Sequence, residues 1–270
     1  MTIFRRRSKP AEMAISEREL TQLTHELDDL HESTFPQVRK TLDELTMNLG
    51  NVVRQPSSRR MFVLGAAGAV ALGAAAACSS GSSGSSGSTG AAPTSTPAGG
   101  GEIYTGDLKV VALAAALENL AVTAYGGALK KAGAGQLGTV PPAIGTFVQT
   151  AMKQHADHAQ AWNAVLTKAG KPAITDAPLT ITPTQVNMLN AAKSVPDVAK
   201  LALNLENAAA QTYTFATANV SDPGGIMTAA TIQPVETMHA AILSFVLGQY
   251  PVPDSFIGVD NAVKPDALTR

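Results

Sequence analysis

From residue 107 onward, apolar residues recur at helical spacing over four long stretches. The first spans about 107–132, and the second runs from Pro141-Pro142 to near Gly170. The third starts near Ser194, and the fourth runs from Ser221-Asp222-Pro223 to near Gly248. Asp107 suits an N-cap, and Ser194-x-x-Asp197 resembles a capping box with Pro196 in the first turn. Pro234 should bend the fourth stretch, unless that helix begins only near Ile232. The first and last links are short, roughly ten and five residues, whereas the middle one spans about 24, from Gly170 to Lys193. Short links suit antiparallel neighbours, and a long one suits a crossover between parallel helices. Within the crossover, Thr182–Lys193 reads as a short helix with Thr182 as N-cap, Pro183 at its first position and Gln185 completing a capping box. The pattern predicts an all-α fold over 104–250: a four-helix bundle of two antiparallel hairpins joined by one crossover. The tail, 251–270, follows, with Pro251–Ile257 expected to lie back against the bundle end.

The chain before the bundle has a different character. Leu20, Leu23, Leu27 and Leu30 recur at helical spacing, and Val38, Leu42, Leu45 and Leu49 resume it after Pro36. Two amphipathic helices are expected within 1–57, as a cytoplasmic extension, unless the chain truly starts at Met47. His25 and His31 read there as solvated helix residues. Residues 58–78 then combine the pair Arg59-Arg60, a Gly- and Ala-rich apolar run and Cys78. That order reads as a twin-arginine export signal. The run is short and Gly-broken for a permanent span, which needs about 20 apolar residues, although an uncleaved anchor helix is the alternative. Cys78 is the sole cysteine, so no intrachain disulfide or multi-thiolate zinc site can form. Its place resembles a bacterial lipidation site, with Ala75 where Leu or Val is commoner. Lipidated, it would tether the exported protein to the outer face of the cytoplasmic membrane. Residues 79–103 form a Gly/Ser-rich linker that gives the bundle slack.

Net charge is −1, without a long basic run, so nucleic-acid binding lacks an electrostatic footprint. The membrane and the export machinery are the expected partners, and a homodimer is compatible with the pattern. Chemistry concentrates in two repeated motifs. Leu117-Glu118-Asn119 with Tyr125 recurs as Leu205-Glu206-Asn207 with Tyr213, and His155-x-x-His158-Ala159 recurs as Glu236-x-x-His239-Ala240. After Cys78 the chain holds only four glutamates and three histidines, and all but Glu102 belong to these motifs. On helices, residues three apart share a face, and residues seven apart are nearly eclipsed. Each motif therefore aims its polar side chains one way. Ala114, Ala121, Ala202 and Ala209 flank the glutamates and permit close helix approach. Burying Glu118, Glu206 and Glu236 together is costly without cations, and metal ions are the simplest neutralisation.

At these residues the chain resembles the ferritin-like superfamily, and more narrowly the exported actinobacterial ferritin-like domain proteins, over about 104–250. The resemblance implies a site for two metals, usually iron. Glu118 and Glu206 would be terminal ligands, Glu236 a bridge, and His158 and His239 the nitrogen ligands. His155 departs from the pattern, which has a second bridging Glu there. A changed two-ion site, a one-ion site or a relic are the outcomes. Iron is the expected metal, with manganese or zinc as alternatives. Gln154, Tyr125 and Tyr213 are candidates to support the ligands, and the tyrosines and Trp162 and Phe245 also suit simple core packing. The expected chemistry is oxidation of Fe(II) or reaction with dioxygen or peroxide. A metal-free envelope module, structural or partner-binding, is the alternative.

Overall fold

A computed structural model describes residues 16–54 and 102–270. Arg59, Arg60, the apolar run, Cys78 and most of the Gly/Ser linker lie outside the described residues. The elements are α1 (Glu17–Arg54), α2 (Asp107–Gly133), α3 (Pro142–Lys168), α4 (Thr182–Ala191), α5 (Val195–Asn219), α6 (Pro223–Val246) and a 3-10 turn (Pro265–Ala267). α2 packs along α3 and α5 along α6, giving the two hairpins of the expected all-α bundle, and α4 lies in the crossover against α2 and α5.

Local chemistry starts most of these helices. Pro141 precedes α3, which has Pro142 in its first turn. Ser194 accepts from the Asp197 N–H while Asp197 accepts from the Lys193 N–H, fixing the start of α5. Asp222 caps α6 by accepting from the N–H groups of Gly224 and Gly225. Two expected caps are corrected. The N-cap of α2 is Gly106, at φ 56°, and Asp107 is instead the first helical residue, accepting from Ser221 and Asp222 N–H across the bundle. The N-cap of α4 is Ile181, and the Thr182 hydroxyl donates to the Ala177 carbonyl. A partner across the bundle claimed the Asp107 carboxylate, and a carbonyl in the preceding loop claimed the Thr182 hydroxyl. α6 runs through Pro234, so the start near Ile232 is excluded.

The extension holds the largest correction. α1 is one helix through Pro36, whose ring sits on the exposed side, and it packs on α3 and α6. Its buried stripe is Leu20, Thr24, Leu27, His31, Val38 and Leu42, whereas Leu23 and Leu30 are exposed. The stripe docks with polar detail: the Thr41 and Thr228 hydroxyls meet at 3.3 Å, and Lys153 pairs with Glu32 at 3.0 Å. The tail differs too. Tyr250, Val252 and Phe256 are exposed, and the end of the chain packs instead. There Thr180 N–H donates to the Ala267 carbonyl and Thr269 N–H to the Pro178 carbonyl, with Val263 and Leu268 buried.

Candidate metal centre

Each of the four bundle helices sends its motif into the middle of the bundle. Glu118 comes from α2, His155 and His158 from α3, Glu206 from α5, and Glu236 and His239 from α6. All six residues are buried, none more than 4 % exposed. Ala114, Ala121, Ala202 and Ala209 are buried beside the glutamates and keep the helices close. Two overlapping groups result, Glu118, His155, His158 and Glu236, and His155, Glu206, Glu236 and His239; within each, one ligand-type atom per residue lies within 4.8 Å of the others.

His155 and Glu236, the mismatched pair, are the two residues common to both groups. His155 Nδ1 is 2.7 Å from Glu118 Oε2 and its Nε2 is 3.2 Å from Glu206 Oε1, so one imidazole spans the carboxylates of α2 and α5. His158 Nδ1 stands 3.2 Å from Glu236 and 3.6 Å from Glu118. His239 Nδ1 stands 3.5 Å from both Glu206 and Glu236.

The tyrosines cross over. Tyr125 on α2 donates to Glu206 on α5, and Tyr213 on α5 donates to Glu118 on α2. Trp162 Nε1–H donates to the Tyr213 hydroxyl at 3.0 Å. Gln154 is fully buried, and its Oε1 lies 2.7 Å from His239 Nε2. It therefore supports the histidine of α6, not His158 on its own helix. An imidazole that donates from Nε2 to Gln154 keeps the Nδ1 lone pair free toward the glutamates.

Two contributors come from α1 and escaped the sequence reading. Asp28 accepts from Gln154 Nε2 at 3.2 Å, extending the chain behind His239. His31, expected in solvent, is buried edge-on to His158 with ring centroids 4.9 Å apart. The signal for His31 was the spacing of Leu20, Thr24, Leu27 and His31, which share one helical stripe.

Electrostatics in the metal-free cluster follow from interleaving three carboxylates with three imidazoles. Burial works against the charge on His155, but Glu236 and Glu206 and the contacts to Glu118 outweigh it and hold its pKa well above the ordinary value. His158 is likewise raised to about 9 against its burial, by Glu118 and Glu236. His239 is raised, despite burial, by Glu206 and Glu236. Burial pushes Glu118 upward, yet His158 and His155 bring it down to about 2, and Glu206 is lowered well below normal by His155 and His239 against the same penalty. Tyr125 and Tyr213 are raised well above theirs by burial and the neighbouring carboxylates, so both keep their protons. His31 is depressed to about 3, first by burial and then by the charges of His158 and His239.

The residues present fit metal ions. His158 Nδ1, His239 Nδ1, Glu206 Oε2 and both oxygens of Glu236 are buried without a hydrogen-bond partner. Unsatisfied buried groups are normally rare. Here they belong to both ligand groups, and once the imidazoles give up a proton to an incoming ion they are donors of the type that bind transition metals.

A helical bundle with a buried cluster of carboxylates and imidazoles, drawn from all four helices, is the architecture of the carboxylate-bridged metalloproteins. The family model of the ferritin-like domain matches residues 106–249, and the chain belongs to that family. No curated protein and no solved structure matches it.

Proposed function

We propose that this protein is an exported, membrane-tethered ferritin-like protein that holds one or two transition-metal ions, iron in the first instance, in the bundle core. The observation that carries the reading is the set of five buried ligand atoms, without a hydrogen-bond partner, that face one another in the cluster. Bound iron would supply redox chemistry, with Fe(II) oxidised by dioxygen or peroxide. Glu118 and Glu206 would serve as terminal ligands, and each is held in place by a tyrosine hydroxyl from the opposite helix. Glu236 lies between the two groups and can serve both, and His158 and His239 offer Nδ1. His155 presents one nitrogen to Glu118 and one to Glu206, and protonated on both it would offset part of the carboxylate charge. Burial of all six residues excludes bulk water.

Export rests on Arg59-Arg60, the apolar run and Cys78. A chain inserted by such a signal keeps residues before it on the cytoplasmic side, so α1 would cover the bundle only before transport. The packing of α1 on α3 and α6 favours a second reading of location, in which helix and bundle stay on one side of the membrane. Protease protection in intact cells separates the two: export predicts a bundle open to external protease and an α1 that is not.

The metal reading is tested by elemental analysis of the purified chain beside a Glu118→Ala/Glu206→Ala double variant. We expect one or two ions per wild-type chain and near-complete loss in the variant. Equal content in both would sink the assignment and leave a metal-free binding or structural module.

A further inference from the structure

The duplication that pairs the ligands also pairs Trp162 with Leu243, each four positions after the last histidine of its helix. At one end of the cluster the indole stacks on Tyr213, with centroids 6.4 Å apart and planes 16° apart, and bonds its hydroxyl. At the other end Leu243 stands in the corresponding place beside Tyr125. It does not fill the space. A partly open apolar pocket of about 60 Å³ lies there, lined by Leu243, Tyr125, Phe147, Val148, Val198 and Ala202 among others.

We propose that this cavity binds a small apolar molecule, of the bulk of xenon or a short alkane, directly beside the metal centre. The wall argues against water. A water ordered against the wall needs two to four polar partners, and the one polar side chain in the lining is Tyr125, whose hydroxyl is already committed to Glu206. A single water takes roughly 10–15 Å³ on this measure, so the space exceeds what a lone water fills. An apolar occupant gains by leaving water and loses no hydrogen bond on entry.

Two rings in the wall also touch the cluster. Tyr125 stacks on His155 at 5.6 Å, and Phe147 meets His239 edge-on at 6.0 Å. An occupant is therefore separated from the candidate ligands by one aromatic layer. The cavity itself stands on its lining alone, and only its meaning as a substrate or product pocket rests on the metal reading.

Xenon NMR of the full chain, with Leu243→Trp and Ala128→Leu variants, tests the proposal. The first restores the indole of the other half, and the second fills the cavity from α2 if the larger side chain prevents folding. We expect a saturable xenon response in the wild type that is lost in each folded variant, with metal content unchanged. A wild type without saturable response, or an undiminished response in the filled variants, overturns the proposal. Xenon binding by a chain that elemental analysis finds free of metal would leave the cavity standing and overturn the proposed function instead.

Discussion

The α2–α3 and α5–α6 halves share a plan, and two of the positions at which they part set the character of the site. Glu118 with Tyr125 and Glu206 with Tyr213 are equivalent down to the crossed tyrosine bonds. His155 against Glu236 and Trp162 against Leu243 are not. The first difference moves charge: an imidazole sits between two carboxylates where the pattern has a second bridging glutamate, so the metal-free cluster balances three glutamates with three histidines. The second moves volume, closing one end of the cluster with an indole and leaving the other hollow. Symmetry persists where side chains hold the site and fails where they set its charge and its access.

The charge difference gives the largest expected effect. His155→Glu makes the halves alike, with four buried carboxylates facing two imidazoles. Removing one partner of a buried ion pair costs about 3–5 kcal/mol, so the metal-free variant should be destabilised by that order in chemical denaturation. Added metal should restore it and raise the ion count to two. Unchanged stability and stoichiometry would mean that His155 does not set the charge balance. In the metal-free wild type the same balance fixes a pH window. Histidines raised above 6.5 stabilise fully below that pH and lose the contribution as pH rises, for His158 through about 9. Glu118, lowered from 4.5, stabilises above that value and loses its contribution as pH falls through about 2. The cluster's contribution to stability should therefore be greatest between about pH 4.5 and 6.5, as read by denaturation midpoints across pH. Metal uptake should release protons and strengthen with pH.

A smaller effect is expected from α1, which packs chiefly on α3 and α6. Leu27 is buried in that contact, and Leu27→Ala should cost about 2–4 kcal/mol of docking stability. Limited proteolysis should then cut α1 first, leaving the bundle intact. Equal protection of α1 in both proteins would contradict its docked position.

The smallest effect compares the tyrosines. Tyr213→Phe removes a bond to Glu118 and strands the Trp162 N–H, whereas Tyr125→Phe removes one bond to Glu206. Losses of about 2–3 and about 1–2 kcal/mol respectively are expected on denaturation. Equal losses would show that the indole is not held by the phenol.

The bundle was legible because helical period, prolines and link lengths agreed, and the ligand set because glutamate and histidine are scarce after Cys78. What was hidden is tertiary. The amphipathic stripe of α1 carries no label for the face it meets, so His31 read as solvated. Gln154 lies four residues from His158 in sequence, yet the bundle turns it to His239. Asp107 had the right chemistry for a cap, but its carboxylate is used by the start of the opposite hairpin helix.

Anomalous diffraction from crystals of the full chain grown with iron tests the central claim most directly. The account predicts one or two peaks inside the bundle, within bonding distance of His158 Nδ1 or His239 Nδ1 and of Glu236. Density without any such peak, with the His155 to Glu118 and Glu206 contacts intact, would contradict it.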